Sequence, residues 1–180
     1  MTDLTKTEQL NFLGIPIEGD LHAGSTRVEQ ISKEEFGTLL KTVIEHPEVK
    51  LVGWHQYTPY FNDGDVCEFS ASGVYVITVH DAEQYEELQE NDPYMVEETF
   101  SSSADHPTLG GRPWIYDRTT FKGEYGPYEG NYPELWEAVD ALATAIGSGS
   151  SDSVLLGHFG DHAKILVTTD KIEIEHYSHD

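Results

Sequence analysis

Cysteine is almost absent: Cys67 is the only one in 180 residues. No internal disulfide can staple the chain, so its stability must come from a packed core, and a reducing compartment is expected. Long apolar runs are missing as well. None approaches the roughly 18 to 20 residues that a membrane span requires, and no basic segment followed by an apolar one opens the chain. Neither membrane insertion nor export is expected. Bases are scarce, with 10 Lys and Arg against 33 Asp and Glu and a formal net charge of -23, which argues against direct nucleic-acid binding.

The familiar catalytic signatures are also lacking. The chain has no phosphate-cradling glycine loop, no serine elbow, no paired-histidine metalloprotease motif and no deaminase motif, so no catalytic residue is assigned. The nine histidines include His158, His162, His176 and His179, but their spacing fits no zinc pattern and Cys67 cannot supply a thiolate pair. No metal and no cofactor is expected.

What is present suffices for a fold: 38% of the residues are hydrophobic and 11% aromatic. Residues 1–30, with Gly14, Pro16, Gly19 and Gly24, read as an irregular arm holding one short strand near 12–17. Ser32 and Glu35 have capping-box spacing, and Phe36, Leu39, Leu40, Val43 and Ile44 share one helical face, which predicts a helix over 33–45. Strands are predicted at 49–57, 65–70 and 74–80, the last two joined by a turn at Ser72-Gly73. Asp81 is expected to cap a short helix to about residue 89, in which only Tyr85 and Leu88 are apolar. Residues 101–111 read as loop and 114–120 as a strand.

A second amphipathic helix is predicted from Asn131 to Gly147, with Pro133 in its first turn and Glu134 at capping-box spacing. Its buried stripe is Leu135, Trp136, Val139, Leu142, Ala143 and Ile146. Residues 147–153 read as a flexible connector, and alternation on either side of Thr169-Asp170 predicts a terminal hairpin. Together these elements predict one α+β domain over 1–180: an antiparallel sheet with two main helices packed on one face. Trp54, Phe69, Trp136 and Ile165 are expected in its core.

The densest cluster of distinctive residues runs Gln56-Tyr57-Thr58-Pro59-Tyr60-Phe61-Asn62-Asp63-Gly64-Asp65-Val66-Cys67-Glu68-Phe69. Asp63-Gly64 is a strong turn signal, so a loop packed onto a strand is the plain structural expectation. Gln56, Tyr57, Tyr60, Asn62, Asp63, Asp65 and Glu68 are the candidate ligand residues of this loop. Its oxygens lack the alternating spacing and closing Glu of a calcium loop. The segment resembles one found in uncharacterised bacterial and bacteriophage proteins, QYTPYFNDGD-x-C-x-F, and residues 159–180 are similar to phage proteins of that kind. The resemblance implies a phage or bacterial setting, and hence the cytoplasm of a bacterial host cell, and assigns no activity.

Charge is distributed as unevenly as it is biased. Residues 51–111 contain no Lys or Arg but twelve acids, and residues 123–163 contain no base and seven acids. Asp81, Glu83, Glu86, Glu87, Glu90, Asp92, Glu97 and Glu98 fall within eighteen residues. Charge runs usually mean solvation. On a helix, however, residues three and four apart are about 5 to 6 Å from one another, and such a row imitates a line of phosphates. The chain is therefore expected to be a non-enzymatic phage-type accessory protein that binds and modulates a basic host or defence protein. Glu83, Glu86, Glu87, Glu90, Glu97 and Glu98 are the candidate contacts. The competing expectations are a small-molecule- or metal-binding domain or an enzyme centred on residues 62–68, and a virion structural or assembly component.

Overall fold

The computed structural model describes residues 11–12, 15–16, 28–61, 63–102 and 105–178. In the N-terminal arm, β1 (Asn11–Phe12) pairs with β2 (Ile15–Pro16), so the one strand expected near 12–17 is a pair of two-residue strands as far as it is described. Helix α1 (Lys33–Ile44) begins at a complete capping box: the Glu35 N–H donates to the Ser32 hydroxyl at 3.1 Å, and the Ser32 N–H donates to the Glu35 carboxylate at 2.8 Å. That backbone bond, and then a second from the Ser32 hydroxyl to the same carboxylate, hold the Glu35 carboxyl below its ordinary range. The helix buries Phe36, Leu40, Val43 and Ile44, the face its spacing predicts.

The main sheet takes two strands from the first half of the chain, β3 (Val49–Tyr57) and β4 (Ser70–Thr78). Helices α2 (Ala82–Asn91) and α3 (Tyr94–Thr99) follow, then the hairpin β5 (Trp114–Asp117) and β6 (Lys122–Tyr125). Helices α4 (Pro133–Gly147) and α5 (Asp152–Phe159) precede the closing strands β7 (Ala163–Val167) and β8 (Ile172–His176). The sheet order is β4-β3-β7-β8, antiparallel throughout.

Strand alternation divides the sheet's side chains between two cores. Val52, Trp54, Val76, Ile165 and Val167 point toward α1, α4 and α5, where Trp54 meets Phe36 and Phe159 edge-on at 6.4 and 5.7 Å. Leu51, Tyr75, Ile77 and Leu166 point the other way, onto Val96 and Phe100, with Tyr85 and Leu88 at the margin. Both main helices lie on one face, as expected, and the short pair α2–α3 partly covers the other.

Several local expectations fail for identifiable reasons. Residues 65–70 and 74–80 are not two strands; β4 is continuous from 70 to 78, and the Ser72-Gly73 turn is a bulge. Three steps on β4, from Ser72 to Tyr75, match two on β3, from His55 to Gly53, and Gly73 absorbs the extra residue at φ +67°. Asp81 precedes α2 but caps nothing with its side chain, because its buried carboxylate accepts from the Thr78 N–H and from the hydroxyls of Thr78 and Thr108. At α4 the N-cap is Tyr132, not Asn131, and no side chain caps it; the Tyr132 N–H donates instead to the Tyr128 hydroxyl at 3.1 Å. Trp136 is half-buried against Tyr128 and Phe69 is half-buried at the core's edge, so neither belongs to the core proper. The predicted strand 114–120 stops at Asp117, whose carboxylate accepts from the Thr119 N–H and the Thr120 hydroxyl, both at 2.7 Å. The connector 147–153 is shorter than expected, since α5 starts at Asp152. Among the described residues no helix is long and apolar enough to cross a membrane.

Candidate functional site

The acidic run forms its row on α2. Glu83, Glu86, Glu87 and Glu90 follow i, i+3, i+4, i+7 spacing, so they share one face, and all four are exposed. Tyr85 and Leu88 take the opposite side, against the second core. No α2 side chain is fully buried, and neither Lys nor Arg occurs in the helix. Carboxylates from the sheet edge extend this field. Burial first, then the charges of Glu175 and Glu173 on β8, push the Tyr85 phenol above its ordinary range. Lysines offset part of it: Lys50 lies 3.5 Å from Glu86, Lys171 2.7 Å from Glu173 and Lys164 3.6 Å from Glu175. These pairs are at the surface, where such contacts are worth little, and among the described residues Lys50 is the only lysine paired with the α2 row.

The other two candidate contacts stand apart on α3. Glu98 is exposed, but Glu97 is turned toward the sheet, with Oε2 3.1 Å from His55 Nδ1. Glu97 is thus a hydrogen-bonded partner of a histidine and not a member of the anionic row. The cause is the β4 bulge: a Cβ on Gly73 would fall on the Glu97 carboxylate and close to the His55 ring, so the glycine leaves the room that Glu97 occupies. Across the same ring, Ser72 Oγ lies 2.9 Å from His55 Nε2.

The 56–69 segment splits into a buried root and an exposed tip. Gln56 is wholly buried; its carbonyl accepts from Trp54 Nε1 at 3.1 Å, and its amide donates to the carbonyls of Leu155 and Gly160. That side chain ties β3 to the middle of α5 and to the residue that ends it. Tyr57 is half-buried near His55 and Tyr177, while Tyr60 is 79% exposed and stacks on His162 at 4.6 Å. Asp63 and Gly64 take the two successive left-handed conformations of a tight turn, φ +41° and +98°. Asn62 lies outside the described residues.

The loop's carboxylates do not meet. Asp63 and Asp65 are exposed at the tip, whereas Glu68 faces a cavity lined also by Val28, Gln30, Phe69, Asp152 and Leu156. Burial there raises the Asp152 carboxyl above its ordinary range. Among the described residues no three His, Cys, Asp or Glu side chains gather as a metal ion would need.

The contact of His55 with Ser72 and Glu97 is the feature that sequence reasoning missed. Its one local trace was the Ser72-Gly73 pair, which reads as a turn when strand pairing is unknown. No known protein family, no curated protein and no solved structure matches the chain.

Proposed function

We propose that this chain is a binding protein whose α2 face enters the cationic groove of a nucleic-acid-binding partner and holds it in place of a polynucleotide. The observation that carries this reading is the single exposed row of Glu83, Glu86, Glu87 and Glu90 on a helix without a base. The helix fixes the spacing of these carboxylates before binding, and a strongly negative field steers a basic partner toward them. Glu98, exposed on α3, stands apart from the row, and Glu97 is left out of it. The phage-like 56–69 segment makes a bacterial host or defence protein the target class, and occupation of its groove would inhibit or modulate it.

The test is capture from bacterial lysate on the immobilised chain at about 50 mM salt, where electrostatic association is strong. A nucleic-acid-binding protein should be retained and then displaced by duplex DNA fragments or by about 0.5 M salt. Reversing all four charges (E83K, E86K, E87K and E90K) should lower retention about tenfold or more. Helix content should survive, because no α2 side chain is buried. Retention unchanged by the reversal would refute the proposal.

A further inference from the structure

His55 lies on the sheet face opposite Trp54, because neighbouring positions on a strand point to opposite sides. Its ring is held from three directions. Ser72, its register partner on β4, places Oγ 2.9 Å from Nε2; Glu97, from α3, places Oε2 3.1 Å from Nδ1; and Tyr177 stacks on the ring at 4.6 Å, 19° from parallel. The His55 side chain is only 14% exposed, whereas Ser72 is open to solvent. A hydroxyl on one imidazole nitrogen and a carboxylate on the other is the arrangement by which serine hydrolases activate a nucleophile, and it is recognised by geometry and not by position in the chain.

The backbone supports the arrangement. The bulge at Gly73 supplies the extra residue beside Ser72, and that glycine's missing side chain is what admits Glu97 to the histidine. The three groups open onto a cavity of 480 Å³, whose other lining residues are Tyr57, Tyr94, Glu98, Ser101 and Tyr177. Among these, Tyr57, Tyr94, Ser101 and Tyr177 bring hydroxyl groups to the lining. Tyrosine faces and Glu98, in a chain of net charge -23, favour a neutral or cationic ligand over an anionic one.

We propose that Ser72, His55 and Glu97 form a nucleophile, base and positioning carboxylate that hydrolyse small carboxylic esters of neutral or positive charge in this cavity. Ser72 Oγ bonds to the ester carbonyl carbon while its proton passes to His55 Nε2. The carbon–alkoxy bond then breaks, the alcohol leaves with that proton, and the acyl group remains on Ser72. Water adds to the acyl carbon, giving a proton to His55; the bond to Oγ breaks, the acid departs and Ser72 regains its hydrogen. Glu97 holds the ring with Nε2 toward the hydroxyl and stabilises the imidazolium formed in each half-reaction. The activity is independent of partner binding by α2.

The experiment is labelling of the intact chain with a fluorophosphonate, followed by peptide mapping and by assay on phenyl acetates. The expected result is an adduct on Ser72 and hydrolysis about tenfold faster for a trimethylammonium-substituted ester than for its carboxylate-substituted analogue. Ser72→Ala should abolish both labelling and turnover. Glu97→Gln should lower kcat by about a hundredfold or more with KM little changed, and should displace the pH–rate profile toward acid. Absence of an adduct on Ser72 in the folded wild-type chain would overturn the proposal, and so would ester hydrolysis that survives Ser72→Ala.

Discussion

Gly53 leaves room for Tyr75, its cross-strand partner: a Cβ there would clash with the hydroxyl end of the phenol ring. Tyr75 is buried, and among the described residues its hydroxyl has no hydrogen-bond partner. Burial, followed by the charges of Tyr85, Glu97 and Glu175, pushes its ionisation far above the ordinary tyrosine range. A phenol whose folded pKa is raised contributes stability that is intact below its unfolded value of about 10 and lost as pH rises beyond it. Tyr75→Phe removes both the stranded hydroxyl and this alkaline sensitivity. It should leave stability at pH 7 unchanged or raise it by about 1 kcal/mol, and its advantage over wild type should widen above about pH 10. Urea midpoints at the two pH values check this, and clear destabilisation at pH 7 would show that the hydroxyl has a partner after all. The residue scale also shows what sequence can hide. Trp54 and Ile165 were legible as core from alternation alone, but Gln56 looks like a surface ligand and is wholly buried. Only the α5 corner, brought in from a hundred residues away, supplies the carbonyls that make its burial tolerable.

Among the elements, α1, α4 and the terminal hairpin were legible because each carries its own periodicity and its own start or turn signal. Helix α5 was not. It has eight residues, follows a Gly-Ser run, contains Gly157, and buries only the adjacent pair Val154 and Leu155. No amphipathic stripe can be read from so short a segment; packing against Trp54 and its neighbours selects the helix. Glycine substitutions separate local from tertiary control at this scale. Gly37 sits inside α1 with nothing within 4 Å of an added Cβ, so Gly37→Ala should stabilise by about 0.5 to 1 kcal/mol through helix propensity. Gly64 has equally open space but φ +98°, so Gly64→Ala should destabilise by about 1 kcal/mol or more from backbone strain alone. Thermal midpoints of opposite sign confirm the pair. A neutral Gly64→Ala would mean that the Asp63-Gly64 turn relaxes freely.

Across the whole molecule, 33 acids against 10 bases impose self-repulsion, which among the described residues lysines relieve at only a few points. Raising salt from about 20 mM to about 500 mM shortens the screening length from roughly 20 Å to a few ångströms, so the thermal midpoint should rise. The fourfold reversal on α2 should flatten that dependence, which a salt series by differential scanning calorimetry would measure. A midpoint indifferent to salt would mean that the acids are too dispersed to repel one another, and the anionic face would lose its significance.

The α+β class, the two main helices, the closing hairpin and the uneven placement of charge were determined by the sequence alone, because each depends on preferences and periodicities acting over about a dozen residues. Tertiary structure decided the insertion of β7 beside β3, the bulge that appears locally as a turn, and the removal of Glu97 from the acidic row to His55. Those outcomes require groups 17 to 109 positions apart to meet, as His55 does with Ser72 and Lys164 does with His55 across the β3–β7 ladder. No local pattern encodes such a meeting; it follows from which faces must be buried once the whole chain is assembled.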